Sequence, residues 1–261
     1  MIEKIKEIAL LAGETLREGF TKNFEIEFKT NESNLVTEYD KRSEKLIIEF
    51  IQKEFPTHGI LAEESGEHSR GGEYTWIIDP LDGTTNFAHK LPLFSVSIGV
   101  QKNGEMIYGV VNDVMHNQLF YAEKGSGSFK NSQQLSVSKT NTLARALLVT
   151  GFPYDIAENP SNALEIFNKL ILKSRGIRRL GSAAIDFCYL AEGVFDGYWE
   201  VHLHPWDVAA GKLVVEEAGG LVTDFEGTPT DVFSPQFLSS NGLLHNQIKE
   251  IIEDARFGLP F

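Results

Sequence analysis

The stretch WIIDPLDGTTNF, at residues 76–87, runs from an apolar triplet directly into two aspartates that lie three positions apart. The triplet Trp-Ile-Ile at 76–78 is typical of a buried strand. By contrast, Asp79 and Asp82 would each cost on the order of several kcal/mol if they were buried without a partner. The stretch therefore predicts a strand that ends either in water or beside a cation.

The segment Asp-Pro-Leu-Asp at 79–82 favours a turn that brings oxygen atoms together. Pro80 fixes its own φ and disfavours helix at Asp79. Both carboxylates and the carbonyl of Leu81 can then face one point. Oxygen atoms are the ligands that Mg²⁺ prefers, and its remaining waters can be replaced by a substrate phosphate. A plain strand end followed by an Asp-Gly turn is the alternative that spacing alone leaves open.

The next three residues add an anion site to this pattern. Gly83 allows the backbone to approach a ligand closely, and Thr84 and Thr85 supply hydroxyls and amides at a predicted helix start. Free N–H groups at such a start attract phosphate. Thr84 as a simple N-cap is the alternative. The segment thus predicts metal ligands and a phosphate cradle side by side.

Acids elsewhere in the chain can join this site. Glu63 and Glu64 end the short strand predicted in GILAEES at 59–65, and adjacent carboxylates are unfavourable unless they are solvated or share a cation. Asp207 opens a predicted helix in HPWDVAAG, where an acid also stabilises the helix as a cap or through its dipole. An exposed loop and a helix cap remain the alternatives for these positions.

Helical and strand patterns alternate along the rest of the chain. Apolar residues recur at helical spacing in segments that begin near residues 5, 37, 162, 182, 206 and 245. Strand patterns occur at 24–28, 94–100, 106–113 and 118–124, and short turns join the last three into an antiparallel stretch. This mixture predicts an α+β or layered α/β class. Since no linker, repeat or composition break divides the chain, we expect a single domain over residues 1–261.

Composition narrows the classes of function. The chain of 261 residues has 24 Lys and Arg against 37 Asp and Glu, a net charge of −13. Because it also lacks a basic run, nucleic acid is disfavoured as a partner. Cys188 is the single cysteine, so no intrachain disulfide forms. We find no signal peptide and no apolar stretch near the roughly 20 residues that cross a bilayer, and we expect a cytoplasmic protein that does not enter membranes.

Several motifs together resemble a known family. They are LAEES at 61–65, WIIDPLDGTTNF at 76–87, PWDVAAG at 205–211 and EEAGG at 216–220, and they are similar to those of the inositol monophosphatase family. The resemblance extends from KTNESNLVTEYD at 29–40 to SSNGLLH at 239–245, which is nearly the whole chain. It implies a layered αβαβα sandwich, and a Mg²⁺-dependent, Li⁺-sensitive homodimeric phosphatase that acts on inositol or sugar phosphates.

The resemblance also implies a set of site residues. The ligands would be Glu63, Asp79 and the Leu81 carbonyl for a first Mg²⁺, Asp79, Asp82 and Asp207 for a second, and Glu63 with waters for a weaker third. The substrate-binding residues would be Asp82, Gly83, Thr84, Thr85, Gly181, Ser182, Ala183, Glu200 and Asp207. The catalytic residues would be Thr84, Asp40 and Glu63. Lys29 matches a lysine near the family's site, and an ordinary surface lysine is the alternative there. For Gly181 and Ser182, a plain helix N-cap is the alternative.

The reaction that the resemblance implies is direct attack of a water molecule on the phosphate, without a phosphoenzyme. Thr84 and Asp40 would orient and deprotonate this water. Two ions bridged by Asp79 would activate it and stabilise the leaving oxygen. No Ser-His-Asp or Cys-His arrangement stands out in the sequence.

The substrate itself stays open at this point. Inositol monophosphate is our first prediction, and fructose bisphosphate and histidinol phosphate are alternatives on the same metal core. A second phosphate would require a cation, which draws attention to Arg178 and Arg179. His202 and His204 would share one face of a strand, as zinc ligands do, although the resembling family does not use them. A regulatory protein that binds RNA polymerase or RNA is the alternative from another class.

Overall fold

The computed structural model describes residues 1–28, 35–68 and 72–257, so Lys29 lies outside the described residues. The helices are α1 (Ile2–Phe20), α2 (Glu38–Glu54), α3 (Thr84–Ala88), α4 (Ala163–Ile171), α5 (Ala183–Ala191), α6 (Pro205–Glu217) and α7 (His245–Phe257). Short 3₁₀ helices cover Leu143–Arg145, Ile156–Glu158 and Pro160–Asn162. Within the described ranges, no helix is long and apolar enough to cross a membrane.

The strands form one large sheet, one smaller sheet and a short pair. They are β1 (Ile26–Phe28), β2 (Leu35–Thr37), β3 (Gly59–Ala62), β4 (Gly66–His68), β5 (Tyr74–Asp82), β6 (Ser95–Lys102), β7 (Glu105–Asp113), β8 (Gln118–Glu123), β9 (Ser128–Lys130), β10 (Gln133–Gln134), β11 (Leu147–Thr150), β12 (Gly176–Arg178), β13 (Gly197–Val201), β14 (Leu221–Thr223) and β15 (Gln236–Ser240). The eight-stranded sheet has the order β10-β9-β8-β7-β6-β5-β3-β4, and the five-stranded sheet has the order β12-β11-β13-β15-β14.

Helices cover both sheets and fill the space between them. Helices α1 and α2 pack on the large sheet, α5 and α6 lie between the two sheets, and α4 and α7 cover the smaller sheet. The antiparallel run β6-β7-β8 agrees with the alternation in the sequence. The predicted layered α+β sandwich is confirmed, whereas the single-domain organisation and the homodimer stay predictions.

Strand β5 carries the apolar triplet at 76–78 together with Asp79 and Asp82. Its residues Trp76, Ile77 and Ile78 are fully buried, as predicted. The strand pairs with β3 in parallel and with β6 in antiparallel orientation, and its register against β6 shifts between Asp79 and Asp82. A proline has no N–H to donate to a neighbouring strand, so an irregularity at this place is expected. The strand therefore bends between its two aspartates.

Two details of the second sheet differ from the sequence argument. Strand β13 ends at Val201, and His202 has a positive φ of 59°, so His202 and His204 do not share the face of a strand. The predicted strand that would carry both histidines is wrong, because the chain leaves the sheet at Val201, before His202. Strand β15 was not predicted, because apolar and polar residues do not alternate clearly in QFLSS at 236–240. In the structure it pairs with both β13 and β14.

His245, at the start of α7, is a buried imidazole that makes the fold sensitive to acid. Its ring nitrogens lie 2.9 Å from the hydroxyls of Thr223 and Ser240, and its side chain is 3% exposed. Burial, and secondarily the charge of Lys249, lowers the pKa of His245 to about 4. An unfolded histidine titrates near 6.5, so between these values the unfolded state binds more protons than the folded state.

We expect the wild-type protein to lose roughly 1–3 kcal/mol more unfolding free energy between pH 7 and pH 4 than a His245→Gln variant. Urea unfolding of both proteins at several pH values in this range measures the difference. Acidic groups shared by the two proteins cancel in this comparison. Parallel stability curves would contradict the assignment of the effect to His245.

Candidate metal and phosphate site

A cavity of 830 Å³ lies where β5, α3, the end of β13 and the N-terminal turns of α5 and α6 meet. Its wall contains all of the predicted metal ligands and substrate contacts, which are Glu63, Asp79, Leu81, Asp82, Gly83, Thr84, Thr85, Gly181, Ser182, Ala183, Glu200 and Asp207. Asp40 is not part of the wall and lies behind Thr84. Residues from distant parts of the sequence thus converge on one cavity.

Asp79 is a deeply buried acid in the wall of the cavity. Only 2% of it is exposed, and its Oδ1 accepts a hydrogen bond from the Leu81 amide at 3.0 Å. Burial raises the pKa of Asp79 well above its ordinary value, and the negative charges of Glu63, Asp82 and Asp207 raise it further. The four carboxyl groups are therefore close enough to repel one another.

Asp82 lies against the N-terminus of α5. Its carboxylate accepts hydrogen bonds from the hydroxyls of Ser95 and Ser182 and from the amides of Ala183 and Ala184. Burial nevertheless raises the pKa of Asp82 to about 6, against the effect of these donors. Ser182 and Ala183 line the cavity, but their donors point to Asp82. This contact ties the loop of Gly181 and Ser182 to β5, and substrate binding by these residues stays a prediction.

Asp207 combines a helix-terminal role with a place in the cavity. Its Oδ2 accepts a hydrogen bond from the His204 amide at 2.6 Å in the first turn of α6. Burial raises the pKa of Asp207 well above its ordinary value, and the charge of Glu63 is the next cause. The helix-cap alternative from the sequence is thus true, and it coexists with proximity to the other acids.

The donor set fits a hard divalent cation in its chemistry. In the described part of the chain, no three His, Cys, Asp or Glu side chains are grouped tightly enough to form a ready ligand set. Asp79, Asp82 and Asp207 are each turned toward a protein donor instead. The set is nevertheless made of oxygen atoms only, and mutual repulsion among buried carboxylates is relieved by a positive charge. Arg179 is the one Lys or Arg among the described residues of the wall.

Thr84 connects the cavity to the buried Asp40. Its Oγ1 lies 3.0 Å from Asp40 Oδ1 and 3.0 Å from the Leu81 carbonyl oxygen, and one hydroxyl hydrogen can serve only one of these acceptors at a time. Asp40 is held in turn by the amide and hydroxyl of Thr37. Burial raises the pKa of Asp40 to about 6. The pair forms a short hydrogen-bonded path from the cavity into the protein.

Gly83 is required at its position for both conformation and space. It has a φ of 94°, and a Cβ there would lie 3.1 Å from the Leu93 carbonyl and 3.2 Å from the Gly181 carbonyl.

Asn86 is a structural residue of the site that was not predicted from the sequence. Its side-chain amide donates to the carbonyls of Leu93 and Leu180 at 2.8 Å each. This bridge holds the loop of Gly181 beside α3, which has only five residues. Any attraction for phosphate therefore comes from local amides rather than from a long helix.

Glu200, near the end of β13, also lines the cavity. Its Oε2 accepts a hydrogen bond from the Tyr198 hydroxyl at 2.6 Å, and burial raises the pKa of Glu200 to about 7. A Cβ on Gly151 would lie 2.1 Å from Glu200 Oε1, so a side chain at this position would displace the carboxylate. The neighbouring Asp186 was missed from the sequence. It is 1% exposed, and its Oδ1 is buried with no hydrogen-bond partner.

The two adjacent arginines, Arg178 and Arg179, differ in their relation to the cavity. Arg179 lines the cavity, with its guanidinium 5.8 Å from the Phe152 ring centre, and its charge lowers the pKa of both Glu200 and Asp186 against the dominant effect of burial. Arg178 does not line the cavity and donates to the Ile177 carbonyl. Arg179 is therefore the arginine that a ligand in the cavity can reach.

The two histidines also belong to the wall but have other partners. His202 Nδ1 lies 3.1 Å from Asp155 Oδ2, and the ring of His204 stacks on Trp206 at a centroid distance of 4.9 Å. Their rings are thus engaged at the rim of the cavity. This arrangement gives no support to a zinc site.

Comparison with known proteins agrees with these features. The model of the inositol monophosphatase family matches residues 1–257. An inositol-1-monophosphatase of Synechocystis is 40% identical over 252 residues, covering 96% of this chain and 88% of the relative. The Nus factor SuhB of Pasteurella multocida is 44% identical over 218 residues, covering 83% and 82% of the two chains.

Two further proteins extend the comparison. A fructose-1,6-bisphosphatase/inositol-1-monophosphatase of Thermotoga maritima is 39% identical over 230 residues, covering 88% of this chain and 87% of the relative. The solved structure of an inositol monophosphatase from Anabaena superposes with a TM-score of 0.88 at 42% identity, covering 97% and 95% of the two chains. The sequence motifs, the fold and the relatives agree over nearly the full length, and the chain belongs to the inositol monophosphatase family of metal-dependent phosphatases.

Proposed function

We propose that this protein is a Mg²⁺-dependent phosphomonoesterase that hydrolyses inositol monophosphate to inositol and phosphate by direct attack of water. The observation that carries the proposal is the convergence of Glu63, Asp79, Asp82 and Asp207 on the cavity that Thr84 also lines. An oxygen-only acidic site next to a hydrogen-bonded threonine suits phosphate transfer to water rather than covalent catalysis.

In this proposal, the Mg²⁺ ligands come from three segments that the fold holds together. Glu63 follows β3, Asp79, Leu81 and Asp82 lie on β5, and Asp207 lies in the first turn of α6. When bound, the ions lower the pKa of a water molecule and stabilise negative charge on the phosphate and the leaving oxygen. The chain contributes a rigid wall, since each ligand is anchored at the end of a packed strand or helix.

Thr84 and Asp40 would receive the proton of the attacking water. The Thr84 oxygen can accept a hydrogen bond from a water in the cavity while its own hydrogen points to Asp40 Oδ1. Asp40 does not line the cavity, so it would act on the water only through Thr84. General base catalysis of this kind contributes about 10²–10⁴-fold to the rate.

The inositol side of the proposal depends on Glu200 and its neighbours. A carboxylate that lines the cavity can accept hydrogen bonds from the hydroxyl groups of a polyol. A second phosphate would meet Glu200 and Asp186, and the charge of Arg179 is already shared with these two acids. The balance of charge therefore favours an alcohol with hydroxyl groups over one with a second phosphate.

The experiment that tests the proposal is a phosphate-release panel in Mg²⁺ over inositol 1-phosphate, fructose 1,6-bisphosphate, histidinol phosphate and adenosine bisphosphate. Specificity is a ratio of kcat/KM values, so the substrates are ranked on that scale. We expect inositol 1-phosphate to rank first. A higher rank for fructose bisphosphate or histidinol phosphate would overturn the inositol assignment, and a best substrate that is not a phosphomonoester would overturn the whole proposal.

Arg179 gives this panel a matched pair of variants. If a second phosphate reaches the cavity, Arg179→Gln removes a charge-assisted contact and should lower kcat/KM for fructose bisphosphate about tenfold. The same variant should change kcat/KM for inositol 1-phosphate less than about threefold. Arg178→Gln, which alters the adjacent arginine outside the cavity, is the control and should leave both values unchanged. Equal effects of the two variants would contradict the role of Arg179.

A second candidate function has one observation in its favour. A relative that is 44% identical bears the name Nus factor SuhB, which agrees with a regulatory protein that binds RNA polymerase or RNA. The net charge of −13 disfavours direct RNA binding. Retention of RNA polymerase binding by a phosphatase-inactive variant would separate this role from catalysis.

A further inference from the structure

Helix α2 carries a row of buried polar side chains on the face that looks toward the acidic cavity. Asp40, Ser43 and Glu44 stand at positions i, i+3 and i+4, which place them on one side of the helix. They are 0%, 0% and 4% exposed, respectively. Buried polar groups are unfavourable unless they are hydrogen-bonded, so their partners indicate what the row does. We call these three residues the α2 polar row.

Ser43 bonds to the irregular part of β5. Its Oγ donates to the carbonyl oxygen of Pro80 at 2.8 Å. Pro80 lies between Asp79 and Asp82, where the register against β6 shifts and the regular ladder is interrupted. Pro80 has no paired position on β6, so the Ser43 hydroxyl bonds a carbonyl at the interruption of the ladder. It fixes the peptide whose neighbouring carbonyl, that of Leu81, is a proposed ligand.

Glu44 bonds to the turn that follows β3. Its Oε2 accepts a hydrogen bond from the Glu64 amide at 2.8 Å. The ladder between β3 and β5 ends at the pair Ala62 and Ile78, so the next residue, Glu63, lies beyond the last paired position. Among the backbone hydrogen bonds of the described residues, one still joins Glu63 to β5. In this bond the Glu63 amide donates to the Ile78 carbonyl at 3.2 Å. Glu44 thus fixes the backbone immediately after a proposed ligand.

The two contacts have a common consequence. The ligand-bearing ends of β3 and β5 lie side by side just where the sheet no longer holds them in register. A single rigid helix reaches both ends through side chains one position apart. We propose that Ser43 and Glu44 are positioning residues, which hold the Pro80–Leu81 peptide and the Glu63–Glu64 turn at the spacing that divalent metal binding requires. This inference rests on the proposed function, because it concerns the same site.

The expected size of the effect follows from other metal sites. Groups that orient metal ligands without touching the metal change metal affinity about 10- to 100-fold when they are removed. Ser43→Ala removes the donor to Pro80, and Glu44→Met removes the acceptor for Glu64 with a side chain of similar length. We expect each variant to weaken Mg²⁺ binding about tenfold. Glu44→Gln keeps an oxygen acceptor and should bind within about threefold of the wild type.

The test is direct calorimetric titration of the full-length protein with Mg²⁺, without substrate, followed by kcat and KM at saturating Mg²⁺. We expect weaker Mg²⁺ binding in Ser43→Ala and Glu44→Met, with KM for inositol 1-phosphate near the wild-type value once the metal is saturating. Ile51→Val is the matched control, because it shortens a fully buried side chain of the same helix about two turns beyond Glu44. It should lower thermal stability and leave Mg²⁺ affinity unchanged.

The outcomes separate the inference from the function on which it rests. If Ser43→Ala and Glu44→Met lose stability like Ile51→Val but bind Mg²⁺ as the wild type does, the row only packs the helix and the inference is overturned. If Glu44→Gln is as weak as Glu44→Met, the hydrogen bond to Glu64 is not the cause and the inference is overturned for Glu44. If the wild type binds no Mg²⁺ at all, the proposed function itself is overturned.

Discussion

Asp79→Asn is expected to lower kcat/KM for inositol 1-phosphate on the order of 10³-fold, which corresponds to about 4 kcal/mol of transition-state stabilisation. The substitution is nearly isosteric, and the amide oxygen can still accept the hydrogen bond from the Leu81 amide. The change is therefore one of charge. Burial and the charges of Glu63, Asp82 and Asp207 raise the pKa of Asp79, and in the proposed function this acid is the shared ligand that the substitution would weaken.

The same variant makes an opposite prediction for stability. Removing one of four mutually repelling acids should leave the unfolding free energy in chelator unchanged or raise it by about 1–2 kcal/mol. Saturating Mg²⁺, at about 100 times its Kd, should stabilise the wild type by about 2.7 kcal/mol and the variant by much less. Urea unfolding in chelator and in Mg²⁺ measures both values. A variant that loses activity because it is unfolded in chelator would contradict this account.

Thr84→Val is expected to lower kcat about 10²- to 10³-fold while KM and the Mg²⁺ requirement stay within about threefold of the wild type. Valine keeps the shape of threonine and removes only the hydroxyl that lies 3.0 Å from Asp40 Oδ1. The buried Asp40 keeps its two hydrogen bonds from Thr37, so the local structure should survive. The loss should therefore appear in the chemical step rather than in binding.

Thr84→Ser is the matched control for this prediction. It retains the hydroxyl and should keep most of the activity, because serine can adopt the same hydrogen bond to Asp40. Steady-state kinetics at saturating Mg²⁺ distinguishes kcat from KM in the three proteins. A Thr84→Val enzyme with kcat within threefold of the wild type would show that the hydroxyl does not take part in proton transfer.

The sequence predicted those parts of the molecule that depend on local pattern. Apolar residues at 76–78 identified a buried strand, and the acids at 79 and 82 marked the end of that strand that lines the cavity, because neither observation needs knowledge of the rest of the fold. The layered class likewise followed from periodicity and from the family resemblance. The site residues meet in one cavity because they lie at or near the ends of strands and helices.

The sequence did not predict features that arise only from packing between distant segments. Asp186 is one acid in the apolar helix sequence AAIDFCYLA, and the sequence alone predicts that such an acid is exposed. In the fold it is buried beside Glu200. Ser43 and Glu44 are polar residues of the kind usually found on the exposed face of a helix. Their partners become visible only once β3 and β5 are packed against α2. His202 leaves its strand through a positive φ, which nothing in HLHPW requires.

The most direct test of the central claim is phosphate release from inositol 1-phosphate by the wild type and by Asp79→Asn, side by side, as Mg²⁺ is added back after complete chelation. The account predicts that the wild type releases no phosphate in chelator and recovers full activity in a saturable manner with Mg²⁺. It also predicts that Asp79→Asn stays on the order of 10³-fold below the wild type at every Mg²⁺ concentration. Full turnover of the wild type in chelator would contradict the account.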